Sequence, residues 1–398
     1  MPILRLAWRN LFRHRQRTAL LGLVVAYVTV AVLFLYGFLD GYGESLVEAY
    51  GAYLVAPVVV ARTAWWEDPD PAHGLTRLPV LSHPRVQAQT PRLRFAALVR
   101  SPYRTEGLEV VGVHSEGERG LSRLAGKVVQ GRWMARRGEV VLGERLARRL
   151  DVRVGERLVV ETSGRRGPQA LGLQVVGILR AGVSTVDHSG LYIPLEDAQG
   201  LTGIRATELA VRVPRGWEMR AAEELNRVLS PELRAKGVWE LMGPIRYDYE
   251  ASRLFYIPIV GLFMLLAAVA VTSTTYVSVR ERLRELSVME SLGMSPGRLA
   301  AMVALEAFLA SLVGLVGGLL LGYGLLLYTS AHNVFGPLMR LSVELLPESG
   351  LTEALYTAVR PHYALYAATT VVLSTLLAFL FPSRLVVYLN VPRYLKEV

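Results

Sequence analysis

The sequence predicts a multi-pass α-helical membrane protein with four transmembrane helices and one large α+β domain outside the cytoplasm. Three uncharged stretches, residues 18–39, 254–279 and 361–383, contain 22, 26 and 23 residues, and each is long enough to cross a hydrocarbon core. A fourth apolar stretch, residues 299–329, is interrupted only by Glu306. The remainder of the chain carries charge at the density of soluble proteins, which predicts a second, aqueous environment.

The distribution of arginine predicts the orientation. The first 39 residues contain five arginines and no acid, which by the positive-inside rule places the N-terminus in the cytoplasm. Residues 280–298 are also rich in arginine, whereas residues 330–360 contain two arginines and three glutamates. We therefore predict a cell (inner) membrane protein with both termini cytoplasmic and residues 40–252 extracytoplasmic. Because topology explains the basic excess, no nucleic-acid partner is expected.

The same features divide the chain into segments along its length. The predicted order is a cytoplasmic amphipathic helix at 1–17, a first span at 18–39, the extracytoplasmic domain at 40–252, a second span at 253–279, a cytoplasmic coupling loop and helix at 280–298, a third span at 299–329, an extracytoplasmic loop at 330–360, a fourth span at 361–383 and a cytoplasmic tail at 384–398. In the first segment, apolar and basic residues recur on different sides of a helix, which favours a helix lying on the membrane. The alternative is a basic anchor without a fixed helix.

The predicted extracytoplasmic domain consists of short apolar runs punctuated by glycine and proline, a pattern typical of α+β folds. Strands are predicted at 54–61, 108–113, 139–142, 157–161, 173–179, 190–193 and 208–213. Helices are predicted at 144–150 and 219–229, where apolar positions recur at helical spacing. The chain contains no cysteine, so this domain depends on its core and not on disulfides.

Residues 280–298 predict a compact helical elbow on the cytoplasmic side. A short helix is expected to end near Gly293. Ser295 and Pro296 then fit the N-cap and the first position of the next helix. The elbow would connect the second and third spans at the inner membrane face.

The third span carries two features that set it apart from an ordinary apolar helix. Ala310, Gly314, Gly318 and Gly322 recur every fourth residue, which places small side chains along one stripe and predicts close helix packing. The stripe serves either a subunit interface or moving seam, or static packing within one chain. Glu306 is an acid at the apolar boundary, either a functional residue or one that extends to the interface or pairs with a nearby arginine.

Motifs of the common catalytic classes are missing from the sequence. No Walker A motif and no G-x-S-x-G motif occurs, and the seven histidines show no metal-ligand spacing. We therefore expect no catalytic residue and no metal site, and the chain is not expected to be an enzyme.

Several motifs together resemble a known family. The segment from Arg284 to Gly293, the following Met-Ser-Pro, and a helix with an acid and spaced glycines resemble the signature of FtsX-like ABC transporter permeases. Residues 138–155 and 175–199 resemble the periplasmic core domain of MacB and LolC/LolE permeases. The sequence is identified as a member of this family of mechanotransmission (type VII) permeases.

The resemblance implies a site for coupling to an ATPase. The residues at the matching positions are Arg284, Glu285, Met289, Glu290, Leu292 and Gly293. Three positions depart from the family pattern, since Ser287, Glu290 and Ser291 stand where the family has glycine, a basic residue and alanine. The reversed charge at Glu290 therefore alters the contacts that the family uses.

The resemblance also implies partners and a function. It implies two separate ABC ATPase subunits that bind ATP and Mg, a second permease subunit, identical or related, and contact with membrane lipid. This chain would then hold no cofactor itself. The implied function is to couple ATP hydrolysis to extracytoplasmic work, with lipoprotein release of the LolC/LolE type favoured. The alternatives are MacB-like efflux with an adaptor and FtsX-like regulation of a cell-wall hydrolase.

Overall fold

The computed structural model describes residues 15–165, 167–346 and 351–379. These residues divide into two compact units. The helical unit contains the described residues up to Tyr42, Glu250–Asn333 and those from Tyr356 onward. The sheet unit contains Gly43–Tyr249 and Val334–Leu355.

The elements of the described residues are numbered in chain order. The strands are β1 (Val58–Arg62), β2 (Ala88–Arg100), β3 (Thr105–Val113), β4 (Val128–Gly131), β5 (Glu139–Gly143), β6 (Arg157–Gly164), β7 (Gly167–Leu179), β8 (Leu191–Pro194), β9 (Glu208–Arg212) and β10 (Leu233–Gly237). The helices are α1 (Arg15–Ala49), α2 (Thr63–Glu67), α3 (Ser115–Leu121), α4 (Glu144–Leu150), α5 (Ser184–Ser189), α6 (Leu195–Thr202), α7 (Glu218–Asn226), α8 (Val238–Leu241), α9 (Pro244–Leu254), α10 (Tyr256–Glu281), α11 (Leu283–Ser291), α12 (Pro296–Ala331), α13 (Gly336–Leu345) and α14 (Tyr363–Phe379).

Three helical stretches of the described residues are long and apolar enough to cross a membrane. They are Thr18–Leu54, Ile245–Glu281 and Pro296–Ala331. A further apolar helix, Tyr363–Ala378, is shorter within the described range. The chain is therefore a multi-pass membrane protein, and the number of four spans stays a prediction.

The first helix continues beyond the span boundary that its charge pattern predicted. α1 runs through Asp40 and ends only at Ala49. The Asp40 carboxylate accepts a hydrogen bond of 2.7 Å from the Tyr363 hydroxyl. It also lies 3.8 Å from the guanidinium of Arg253 and 3.7 Å from that of Arg360. The helix passes residue 39 because an acid with these partners is accommodated within it, and the end of the membrane span at residue 39 stays a prediction.

Other boundaries shift by a few residues. α10 begins at Tyr256, after α9 has ended at Leu254, and the apolar helical stretch Ile245–Glu281 runs through both, so the predicted span start at residue 253 stays a prediction. α12 begins at Pro296, before the predicted start at 299. The predicted helix at 1–17 lies outside the described residues except for the first turn of α1, and the predicted tail at 384–398 lies wholly outside them.

The strands of the sheet unit form one mixed sheet. Its order among the described strands is β10-β1-β9-β2-β3-β8-β5-β7-β4, and β6 pairs with β2 and β7. The pairs β3–β8 and β5–β7 are parallel, whereas the other pairs are antiparallel. Alternation along β2 buries Leu93, Phe95 and Val99 while Leu98 is exposed, because successive side chains point to opposite faces.

Most predicted strands are confirmed, and several are longer than the apolar runs that predicted them. The first was wrong at its start, because a π-helix occupies Tyr50–Leu54 and the strand begins at Val58. Strands β2, β4 and β10 were missed. β2 escaped notice because Arg92 and Arg94 interrupt its apolar pattern.

Arg92 and Arg94 of β2 are neutralised by acids distant in sequence. The Arg92 guanidinium binds the Glu118 carboxylate through two hydrogen bonds, of 2.6 and 3.1 Å. Both of these side chains are buried. Arg94 donates to Glu208 at 3.0 Å and to Glu109 at 2.8 Å. These ion pairs allow two cations to occupy a largely buried strand.

The segment after the third span folds with the sheet unit, although it was predicted as a loop at 330–360. Within it, α13 forms a helix of ten residues. Farther along, the Ser184 amide donates to the Leu351 carbonyl at 2.8 Å, and the Glu353 amide donates to the Gly182 carbonyl at 2.7 Å. Arg180 adds an ion pair to Glu353 at 3.2 Å.

Candidate functional site at the helical elbow

The predicted elbow is present between α10 and α12. α11 ends at Ser291, and Gly293 follows with a φ of 96°, a left-handed conformation that favours glycine. Ser295 occupies the N-cap position and Pro296 the first turn of α12, as predicted. The Ser295 side chain makes no capping hydrogen bond. Its backbone carbonyl instead accepts from the Arg298 amide at 2.9 Å.

The elbow has its own apolar core. Its buried members come from α10, α11 and α12 and are Val279, Leu286, Leu299, Met302 and Val303. Fully burying an aliphatic side chain of this kind contributes about 1.5–3 kcal/mol. The three helix segments are therefore packed together at this point, and α11 is not a free loop.

A buried ion pair ties the elbow to α12. The Arg282 side chain is 8% exposed and the Glu306 side chain 14% exposed, and their closest N and O atoms are 2.7 Å apart. Arg282 also donates from Nε to the Glu285 carboxylate at 3.2 Å. Glu306 thus pairs with an arginine, one of the two roles considered for it. The sequence did not identify Arg282 as the partner of Glu306, because the two residues are 24 positions apart and Arg282 lies outside α12.

Four of the six predicted ATPase-coupling residues lie on the exposed side of this elbow. Arg284, Glu285 and Gly293 are exposed, whereas Met289 and Glu290 are half-buried. Met289 contacts the elbow core.

Two apolar residues of the elbow remain accessible. Leu292 is 83% exposed and Val288 is 53% exposed. We call this pair the elbow tip. Val288 was missed from the sequence, although its spacing of four residues from Leu292 places both on one side of a helical turn. The elbow therefore presents an apolar tip on a firmly packed base.

The small residues of α12 lie against α1 of the same chain. A methyl group added at Gly314 would come 2.5 Å from the Gly22 carbonyl oxygen, and one at Gly318 would come 2.5 Å from the Thr29 Cβ. At Gly322 it would meet the side chain of Leu33 at 2.5 Å.

These separations leave no room for side chains at Gly314 and Gly318, which approach the backbone and Cβ atoms of α1, whereas at Gly322 the nearest atom is the end of the Leu33 side chain. Ala310, the fourth member of the stripe, is also buried and packs in the apolar cluster shared with α1. The small-residue face of α12 is thus occupied by α1. Its role as a moving seam stays a prediction.

The chain combines a group of long apolar helices with a large sheet unit that follows the first of them in the sequence. This arrangement defines its class, a multi-pass membrane protein with one large inserted α+β domain. A family model of the MacB-like periplasmic core domain matches residues 18–227, more than half of the chain. A model of the FtsX-like permease C-terminal region matches residues 257–391. The chain belongs to the family of FtsX-like permeases that carry a MacB-like periplasmic core domain.

Similar proteins come from distant organisms. The chain is 27% identical over 166 residues to the lipoprotein-releasing system transmembrane protein LolC of Neisseria meningitidis serogroup B, covering 39% of this chain and 40% of LolC. It is 22% identical over 162 residues to the ABC transporter permease YknZ of Bacillus subtilis, covering 38% of this chain and 41% of YknZ. The chain thus spans about two fifths of the length of these curated relatives.

Solved structures show weaker likeness. The periplasmic region of MacB from Actinobacillus actinomycetemcomitans has a TM-score of 0.34 and 15% identity, covering 47% of this chain and 91% of that chain. The extracellular domain of YknZ from Gram-positive bacteria has a TM-score of 0.29 and 14% identity, covering 39% of this chain and 83% of that chain. At TM-scores this low, neither likeness supports a further conclusion.

The contact between α1 and α12 predicts a position-specific effect of a larger side chain. Gly318→Leu should destabilise the protein by about 1–3 kcal/mol, because the new side chain has no space beside Thr29. Gly317→Leu is the matched control, since a methyl group there meets no atom within 4 Å. Thermal unfolding of the purified protein in detergent compares the two variants, and equal midpoints would contradict the packing described.

The buried ion pair predicts coupling between two substitutions. Arg282→Met should destabilise the protein by about 3–5 kcal/mol, because it leaves the Glu306 charge buried without this partner. The double variant Arg282→Met/Glu306→Leu should recover most of that loss. Thermal unfolding and limited proteolysis within residues 280–298 measure both effects, with Arg298→Met as an exposed control. Additive effects of the two substitutions would rule out the pair as a stabilising contact.

Proposed function

We propose that this chain is the permease subunit of an ABC transporter and binds separate ATPase subunits through its elbow tip. The observation that carries the proposal is an exposed Leu292 directly after α11, a helix that is held by the Arg282–Glu306 ion pair and an apolar core. An exposed apolar patch with a polar rim is a mark of protein interaction sites, and Leu292 and Val288 form such a patch beside Arg284 and Glu285. The family match of residues 257–391 supports the same assignment.

The proposed coupling uses the continuity of the helices. A displacement of the elbow passes into α12, because the ion pair and the apolar core join them. α12 has 36 residues and at about 1.5 Å per residue extends about 54 Å. Its glycines contact α1, which continues without a break to Ala49. In this scheme the partner ATPase binds ATP and Mg, and this chain contributes motion and no catalytic step.

The favoured function is release of a lipoprotein from the membrane. The complex that performs it would include a second permease subunit, identical or related. The similarity to the LolC protein of Neisseria meningitidis serogroup B supports this assignment. The MacB-like domain match supports, as the second candidate, efflux with an adaptor. Regulation of a cell-wall hydrolase is the third, and it requires no transported molecule.

Photo-cross-linking of the native complex separates these candidates. The complex is purified with its co-purifying ATPase, and the molecules that cross-link to the sheet unit are identified. A lipid-modified protein supports lipoprotein release. A soluble hydrolase as the sole cross-linked molecule would exclude release, and a small apolar compound together with an adaptor would replace release by efflux.

The elbow tip predicts the effect of one charge on ATPase binding. Leu292→Asp should abolish co-purification of the ATPase, because a carboxylate replaces an apolar side chain at the centre of the proposed contact. The matched control is Leu98→Asp on β2, a leucine that is 50% exposed in the sheet unit. Unchanged thermal stability of both variants shows that they fold. If the two variants recover equal amounts of ATPase, the elbow tip is not part of the interface.

The proposed orientation predicts which side of the membrane labels a single cysteine. Tyr103→Cys, at a position that is 69% exposed, should react with an impermeant maleimide in intact cells. Ser291→Cys on the elbow should react only after the membrane is opened. The opposite labelling pattern would show that the chain has the inverse orientation in the membrane.

A further inference from the structure

The helix α13, just after the third span, carries an exposed apolar face. Leu338, Leu341 and Leu345 are 59%, 52% and 70% exposed. Their spacing of three and four residues places them on one side of the helix. We call these three residues the leucine face. Three exposed leucines on a single short helix form a continuous apolar strip, which in a soluble setting would be unfavourable.

The side of α13 opposite the leucine face packs against the sheet unit. Gly336 and Val343 are buried. Glu344 lies 3.3 Å from the Arg145 guanidinium, and Arg340 lies 3.6 Å from the Glu353 carboxylate. Both charged residues of the helix are therefore engaged in ion pairs, and the leucine face is directed away from the unit to which α13 belongs.

The preceding helix, α12, has a residue typical of the membrane boundary toward each of its ends. No charged residue occurs in α12 between Glu306 and its end at Ala331. From Glu306 to Tyr328 the helix rises about 33 Å at about 1.5 Å per residue, close to a hydrocarbon core of roughly 30 Å. The Tyr328 and His332 rings stack with their centroids 4.6 Å apart. Aromatic side chains of this kind are enriched at the headgroup level of a bilayer.

The short connection keeps α13 near that level. Residues 332–335 alone separate the last residue of α12 from the first residue of α13. Even fully extended, this connection spans at most about 18 Å. α13 therefore begins within reach of the headgroup layer in which α12 ends.

We propose that α13 is an interfacial helix whose leucine face inserts into the leaflet where α12 ends, with phospholipid as its partner. Three observations lead to this assignment. The leucine face is apolar and exposed, both charged residues of α13 form ion pairs with the sheet unit, and only four residues connect α13 to a membrane-spanning helix. A helix of this type lies about 5–10 Å into the boundary between headgroups and acyl chains. Because its charges are already paired, insertion requires no anionic lipid. Through α13 the membrane surface would hold the sheet unit at a second point besides the spans.

The chain has no cysteine, which allows a direct test on the full-length protein. Leu341→Cys is labelled with an environment-sensitive fluorophore and reconstituted into phosphatidylcholine vesicles. The lipids carry a spin-label quencher either near the headgroup or near the end of the acyl chain. The label is expected to be quenched more by the shallow quencher than by the deep one, and to be shielded from aqueous iodide. Leu345→Cys should show the same order.

Leu98→Cys on β2 is the matched control, because it is a similarly exposed leucine in the same unit. Its label should be quenched by iodide and not by either lipid quencher. Quenching at Leu341 indistinguishable from this control would overturn the proposal. Shielding from both lipid quenchers with efficient disulfide cross-linking between copies would assign the leucine face to a second copy of the chain and would also overturn it. ATPase binding plays no part in this measurement, so loss of the elbow interface leaves its result unaffected.

Discussion

The close approach of α1 and α12 is the interaction on which the organisation of the helical unit depends. In lipid, helices gain little from burying apolar surface against each other, so their association relies on close packing of backbones and on polar contacts. Gly314 and Gly318 supply that closeness, because a methyl group at either position would collide with α1. Backbones in direct contact leave little freedom for independent movement. A movement of α12 is thus expected to carry α1 with it.

The elbow adds a polar constraint to this apolar framework. Removing Arg282 and Glu306 from water carries a desolvation cost, so the pair contributes orientation more than net stability. Its geometry fixes the start of α11 against α12, and the shared apolar core completes the arrangement. Leu292 is left accessible as a consequence. An exposed leucine on a mobile loop would be unremarkable, whereas one on a packed elbow has a defined position relative to the membrane helices.

Several features of the chain were predictable because they arise from local sequence. The apolar spans, the elbow with its positive-φ Gly293 and the small-residue stripe all follow from composition and spacing within one segment. Strand β2 was not predictable in this way, since Arg92 becomes compatible with a buried strand through partners distant in sequence, the Glu118 carboxylate and the Val55 carbonyl. The continuation of α1 past Asp40 was not predictable for the same reason, because its partners are Arg253 of α9, Tyr363 of α14 and Arg360 before α14.

The sequence by itself determined that the chain enters the membrane, that it turns at the elbow, and which face of α12 carries small residues. Hydropathy and helical spacing determine these features, and both are properties of neighbouring residues. Tertiary structure alone decided which partner each feature meets. It assigned the glycine stripe to α1, Glu306 to Arg282, and the supposed outer loop to the sheet unit. The physical reason is that buried charges and close backbone contacts take their energy from groups far apart in sequence, and only folding brings those groups together.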